Sequence, residues 1–178
     1  DYVAAYDPNS PRIALKKAHT YRVADIAARI AGAEGLSAED VDLAWLCGLV
    51  HDVGRFEQVR RWNTFRDADS ASHALLGVGA LFGPRERLGV PVGGTGAGMP
   101  RIRDFAADKS EDELIRTAVA LHSDYRLPNG LDARTRTFCE LTRDADKVDI
   151  LRTVDTDTPE TLLGCTADEL LGSSLSTE

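Results

Sequence analysis

Apolar residues recur along this chain at intervals of three and four, and the alternation of β-branched residues that marks a strand is nearly absent. That pattern predicts an all-α fold. After the turn-rich DPNSP segment, a helix is expected over about 12–31, with Val23, Ile26, Ala27 and Ile30 on one stripe. AGAEG ends it. Ser37 and Asp40 are placed as a capping box for a second helix, which carries Val41, Ala44, Trp45, Cys47 and Leu49 as far as Asp52, where Gly54 stops the run. A short amphipathic piece, FEQVRRWN, and the polar stretch TFRDADS lead into a third substantial helix, ASHALLGVGALF. Residues 83–109 read as a loop, whose run GVPVGGTGAG has too little side chain to offset its ordering entropy and is expected to be a mobile surface loop or lid. Ser110 and Glu113 are placed as a capping box for a helix ending near His122, and LPNGLD marks a turn. A long helix over about 133–154 should bury Phe138, Leu141, Ala145, Val148 and Leu151, and Thr166 with Glu169 opens one more short helix. The expectation is a single-domain helical bundle over 1–178, with its core at about 12–152 and a C-terminal extension at about 155–178.

At 178 residues, 43% hydrophobic and 28% charged, the chain has the size and composition of one soluble globular domain. A net charge of −8 without any basic run argues against duplex nucleic acid as a partner, since phosphate-backbone binding needs clustered cations. A small phosphorylated ligand needs only a few local Arg or Lys residues and stays open. The three cysteines, Cys47, Cys139 and Cys165, are odd in number and form no CxxC pair, which points away from a disulfide framework and towards the cytoplasm. No apolar run reaches the ~18 residues of a membrane span, and the start lacks a signal-peptide pattern. Both ends are expected to be cut, because the chain starts on Asp and GSSLSTE reads like the opening of another helix.

The four histidines carry most of the chemistry. His19 shares the stripe of Val23 and Ile26, His51 follows Ala44 and Cys47 by seven and four residues, His122 follows Ile115 and Ala118 at the same intervals, and His73 precedes Leu76, Gly77 and Ala80. All four imidazoles should face one interior. Burying an imidazole costs roughly 1–3 kcal/mol unless its ring nitrogens find partners, and a metal centre between facing helices meets that need for all four together. Asp52 directly follows His51, and a helix end can relax so that both converge. Asp146 lies one position off the expected apolar stripe, at the edge of the core face. Asp144 and Asp149 are expected in solvent, with Asp149 placed one turn beyond Asp146 as an outer partner.

His19, then His51 and Asp52 in LVHDVGRFE, then Asp146 in RDADKVD resembles the H…HD…D signature of the HD superfamily of metal-dependent phosphohydrolases, and KKAHTYRVADIAARIA resembles its HxxRV first helix. The likeness runs over about residues 12–152. It implies an HD-type helical bundle in which His19, His51, Asp52 and Asp146 bind one metal ion. Relatives with two metals add histidines between the HD pair and the last Asp, where this chain has His73 and His122, and Asp52 would then bridge the ions. Some relatives carry two neighbouring histidines at the later position, whereas here Ser123 follows His122.

Imidazole and carboxylate ligands without thiolates suit Mn²⁺, Fe²⁺, Co²⁺, Ni²⁺ or Zn²⁺, one or two per chain. The implied activity is hydrolysis of a phosphomonoester or phosphodiester, for which a nucleotide is the expected substrate. Asp52, Arg55 and Arg22 are the candidate catalytic residues, the two arginines as phosphate contacts. Glu57 is a candidate proton shuttle, and Lys147 is expected to have a structural or solvent-facing role. Two other readings stand beside this one: a catalytically silent metal- and nucleotide-binding regulatory module, and a di-iron oxygenase-like activity. No GxSxG elbow is present.

Overall fold

Ser10 caps the first helix, α1 (Pro11–Ala33), by accepting from the Ile13 amide at 3.4 Å, and Pro11 at the first position needs no partner for the N–H it lacks. A computed structural model of the chain describes residues 3, 6–7, 9–83, 101–162 and 166–172. The chain is all-helical: α2 (Ala38–Val50), α3 (Val53–Trp62), α4 (His73–Phe82), α5 (Asp112–Leu121), α6 (Ala133–Thr156), α7 (Pro159–Leu162) and α8 (Ala167–Leu171) follow α1, with no strand among the described residues. Ser37 caps α2 as expected, accepting from the Asp40 amide. At α8, Thr166 and Glu169 form the reciprocal cap that their spacing suggests.

The long helix α1 lies against α2 and α6, α3 against α4, and α5 joins α4 to α6. Val23, Ala27, Ala44, Cys47, Ile115, Ala118, Val119, Phe138 and Ala145 fill the space between them and are at most 1% exposed. Tyr6, Ile13, Phe56 and Val59 make a smaller second core, against which Val3 and Phe65 pack. Gly48 allows α2 to approach α1, since a Cβ there would stand 2.7 Å from the Cα of Ala24.

Four expectations need correction. Gly54 does not stop a helix: the chain breaks two residues earlier, at Asp52, and Gly54 lies inside α3, where a Cβ would overlap the carbonyl oxygen of His73. The glycine therefore serves a close approach of α3 to α4. Ser110 does not cap α5; its hydroxyl and amide both donate to Asp108, and the helix begins after Glu111. Residues 101–109 are not featureless loop, because a 3₁₀ turn, Ile102–Asp104, sinks Ile102 to 4% exposure in the main core. The glycine-rich run 89–98 falls outside the described residues, as does Cys165. Finally, α6 buries Phe138, Leu141, Thr142, Ala145, Asp146, Asp149 and Thr153, while Val148 and Leu151 are 52% and 73% exposed. Its inward side turns polar along the second half of the helix, where it meets the histidines.

Candidate metal centre

His19 sits in the middle of α1, and His51 follows the last residue of α2. Asp52, with φ −106° and ψ 15°, occupies the sparsely populated region between helix and strand, and this local break lets two consecutive side chains converge. His73 opens α4, His122 follows the end of α5, and Asp146 comes from the middle of α6. All six side chains are buried, each at most 4% exposed as a residue. The four imidazoles stand in a row, His19, His51, His122 and His73, with successive ring centroids 5.3, 5.0 and 4.9 Å apart.

The carboxylate of Asp52 lies between two sets of nitrogens. Its Oδ2 is 3.7 Å from His19 Nε2 and 3.6 Å from His51 Nε2, and Asp146 Oδ1 lies 3.2 and 3.6 Å from the same two nitrogens. Its Oδ1 is 3.6 Å from His73 Nε2 and 3.5 Å from His122 Nε2, which are 3.0 Å from each other. Donor atoms on a single ion with bonds of ~2.0–2.2 Å lie about 3–3.5 Å apart, so these separations suit coordination. His51 joins both groups: His19–His51–Asp146 and His51–Asp52–His122 each bring ligand atoms within 4.8 Å of one another.

Every imidazole is oriented from behind through Nδ1. His51 Nδ1 donates to Gly48 O at 2.7 Å and His122 Nδ1 to Val119 O at 2.8 Å; carbonyls only accept, so Nε2 in each neutral ring carries a lone pair. His19 Nδ1 meets Asp149 Oδ2 at 2.7 Å, and His73 Nδ1 meets Asp67 at 2.8 and 2.9 Å. Partners of this kind fix ring orientation in metal sites. The inward atoms suit a cation: His19 Nε2, His51 Nε2 and Asp52 Oδ1 are buried without a hydrogen-bond partner. Left so, each would forfeit roughly 1–3 kcal/mol.

The electrostatics favour the forms that could hold a cation. Burial raises the Asp52 carboxyl, but Lys16, His51, His122 and Arg55 outweigh it and hold the group well below the usual carboxylate range. Asp146 is likewise raised by burial and then lowered further by His19 and His51. Burial, aided by Arg55 and His122, brings His73 down to about 4 against the opposing pull of Asp52 and Asp67, which keeps the ring neutral.

A family model for the HD domain matches residues 17–152. The chain belongs to the HD domain family. No curated protein and no solved structure matches it. HD domains bind divalent metals, and the all-α bundle and the ordered His and Asp residues agree with that membership.

Arg55 reaches the cluster, with Nε 3.5 Å from Asp52 Oδ1. Arg22 is exposed on α1 and makes no ion pair or hydrogen bond with the cluster among the described residues. The Glu57 carboxylate is bound by Tyr6, Arg60 and Arg61, away from a shuttle role. Lys147 is over half exposed but holds Asp146 Oδ2 at 2.7 Å. Asp144 is exposed as expected, whereas Asp149 is 1% exposed, a correction to its solvated reading. Burial raises the Cys139 thiol to about 11 and Cys47 higher still, so neither is a nucleophile. Sequence reasoning missed Asp67 and Lys16. Lys16 lies three residues before His19, a spacing that could have found it; Asp67 lies in a polar stretch without periodicity.

Proposed function

We propose that this HD domain hydrolyses a phosphomonoester or phosphodiester of a nucleotide with the help of one or two divalent transition-metal ions. His19, His51, Asp52 and Asp146 would hold one ion; Asp52, His73 and His122 would hold the second. Ions held there supply Lewis acidity towards phosphoryl oxygens and generate hydroxide near neutral pH. The observation that carries this reading is the division of Asp52, whose two oxygens face two separate sets of histidine Nε2 atoms.

The residues of the chain do the positioning. Asp149, Gly48, Asp67 and Val119 orient the four rings. Arg55, bound to both Asp52 and Asp67, stands at the edge of the cluster as a candidate phosphate contact. Arg22, exposed and unattached to the cluster among the described residues, could touch only an outer part of a substrate.

Elemental analysis of protein purified without chelator should find one to two equivalents of transition metal. A phosphoester panel with that ion restored should release phosphate or nucleoside. Asp52→Ala should abolish turnover and lower metal content while the helical circular-dichroism spectrum is retained. A wild-type protein without metal affinity, or an Asp52→Ala variant as active as wild type, would overturn the reading. Nucleotide binding without product across several metals would point instead to a silent regulatory module.

A further inference from the structure

Lys16 is a second inward polar side chain of α1, one turn before His19, and only 14% of its side chain is exposed. Its Nζ donates to Asp52 Oδ2 at 2.6 Å and stands 5.4 Å from the centroid of the Phe65 ring. The Arg55 guanidinium is 5.9 Å from the same centroid. Two cations thus flank the one carboxylate shared by both histidine sets, and both lean on one aromatic ring.

They differ in how they are held. Arg55 Nη1 donates to Gln58 Oε1, Phe65 O and Asp67 Oδ1, which ties the guanidinium into the turn before α4, while its Nε has no hydrogen-bond partner. Lys16 has Asp52 as its one hydrogen-bond acceptor among the described residues. An ammonium carries three N–H donors, so two are left for an incoming acceptor. A counter-ion for a site carboxylate need not be buried: Lys147 pairs with Asp146 at 2.7 Å with 55% of its side chain exposed. The sequestration of Lys16 therefore calls for more than charge balance. Nor does the cluster hold surplus cations, since Asp52, Asp67, Asp146 and Asp149 are met by Lys16, Arg55, Lys147 and Arg152.

We propose that Lys16 is the cation that receives the phosphate group of the ligand, held in place between Asp52 and Phe65. The proposal rests on the phosphohydrolase reading and names the residue that would confer its affinity for a phosphate dianion. Lys is suited to this as a compact point charge whose donors can turn to meet an oxyanion.

The test is calorimetric titration of the full chain, loaded with Mn²⁺, with inorganic phosphate, alongside metal content and thermal melting. Lys16→Gln, and Lys16→Met, which keeps an apolar stem against Phe65, should retain wild-type metal content and melting while phosphate affinity falls about ten- to a hundred-fold. Lys17→Gln, an exposed position on the same helix and the control for simple loss of charge, should change it by no more than about two-fold. Wild-type affinity in both Lys16 variants, or an equal loss in Lys17→Gln, overturns this proposal and leaves the phosphohydrolase reading intact. A loss of metal in parallel with phosphate assigns Lys16 to the metal centre and also overturns it. A wild-type protein that holds metal and no phosphate overturns both.

Discussion

The two halves of the histidine cluster are built differently. His19 and Asp146 lie in the middle of helices of 23 and 24 residues, and the carboxylate behind His19, Asp149, is 1% exposed. His73 and His122 lie at the start of one ten-residue helix and just past the end of another. The carboxylate behind His73, Asp67, is in a short 3₁₀ turn with 39% of its side chain exposed. Mid-helix residues are fixed by bonded turns on both sides, whereas helix ends fray. Apart from His51 and Asp52, which stand at the break between α2 and α3, the first half is thus a product of the main packing, and the second depends on local devices that single substitutions can remove.

The most damaging of these is at Gly54. Any side chain there meets the His73 carbonyl and the Gly77 amide, backbone atoms that cannot rotate aside. Gly54→Ala should push α4 from α3, carry His73 away from Asp52, and cost about 3 kcal/mol or somewhat more, at the upper end of overpacking effects. For a domain of this size that is a fall in Tm of roughly 6–12 °C. Metal analysis of the folded variant should show the second ion lost and the first kept. Equal loss of both ions would mean that the halves are not separable, and an unchanged Tm would mean that α3 and α4 do not touch as described.

Much of this arrangement was legible in the sequence, and the parts that were not share a cause. The bundle and the inward placement of the four histidines follow from periodicity, because the same spacing that buries Val23 and Ala27 also buries His19. The convergence of His51 and Asp52 follows from the break between α2 and α3, although the break is at Asp52 and not at the glycine. Gly54 looks like a stop signal when only local conformation is considered; its role is set by a neighbour nineteen positions away, which no local rule contains. Asp67 sits in a stretch too short and too polar for any period to register. On α6 the periodicity itself misled, for a reason that the last experiment addresses.

The outer carboxylates sharpen the comparison at smaller cost. Asp149→Asn and Asp67→Asn each keep a hydrogen-bond acceptor for their histidine and remove its charge. Losing such a partner typically lowers metal affinity about 10–100-fold. Asp149→Asn should weaken an ion held by His19, and Asp67→Asn one held by His73, as read by competition with a chromophoric chelator. The same ion weakened in both variants would show that the rings act as one site.

The smallest effect concerns α6, where apolar residues were expected to mark the buried side. Phe138, Leu141 and Ala145 obey that rule, but beyond Ala145 the helix faces the histidines, and the inward positions go to Asp146 and Asp149. Val148 and Leu151 then fall on the open side, although they continue the apolar spacing. Periodicity rewards apolar residues and cannot see that one end of a helix faces a charged centre. Leu151→Gln should therefore change stability by less than about 0.5 kcal/mol in chemical denaturation, as expected of an exposed position, where a buried leucine would lose about 2–5 kcal/mol on truncation to alanine. A loss of the larger size would put Leu151 back in a core and turn Asp146 and Asp149 away from His19, which would dismantle the first half of the cluster.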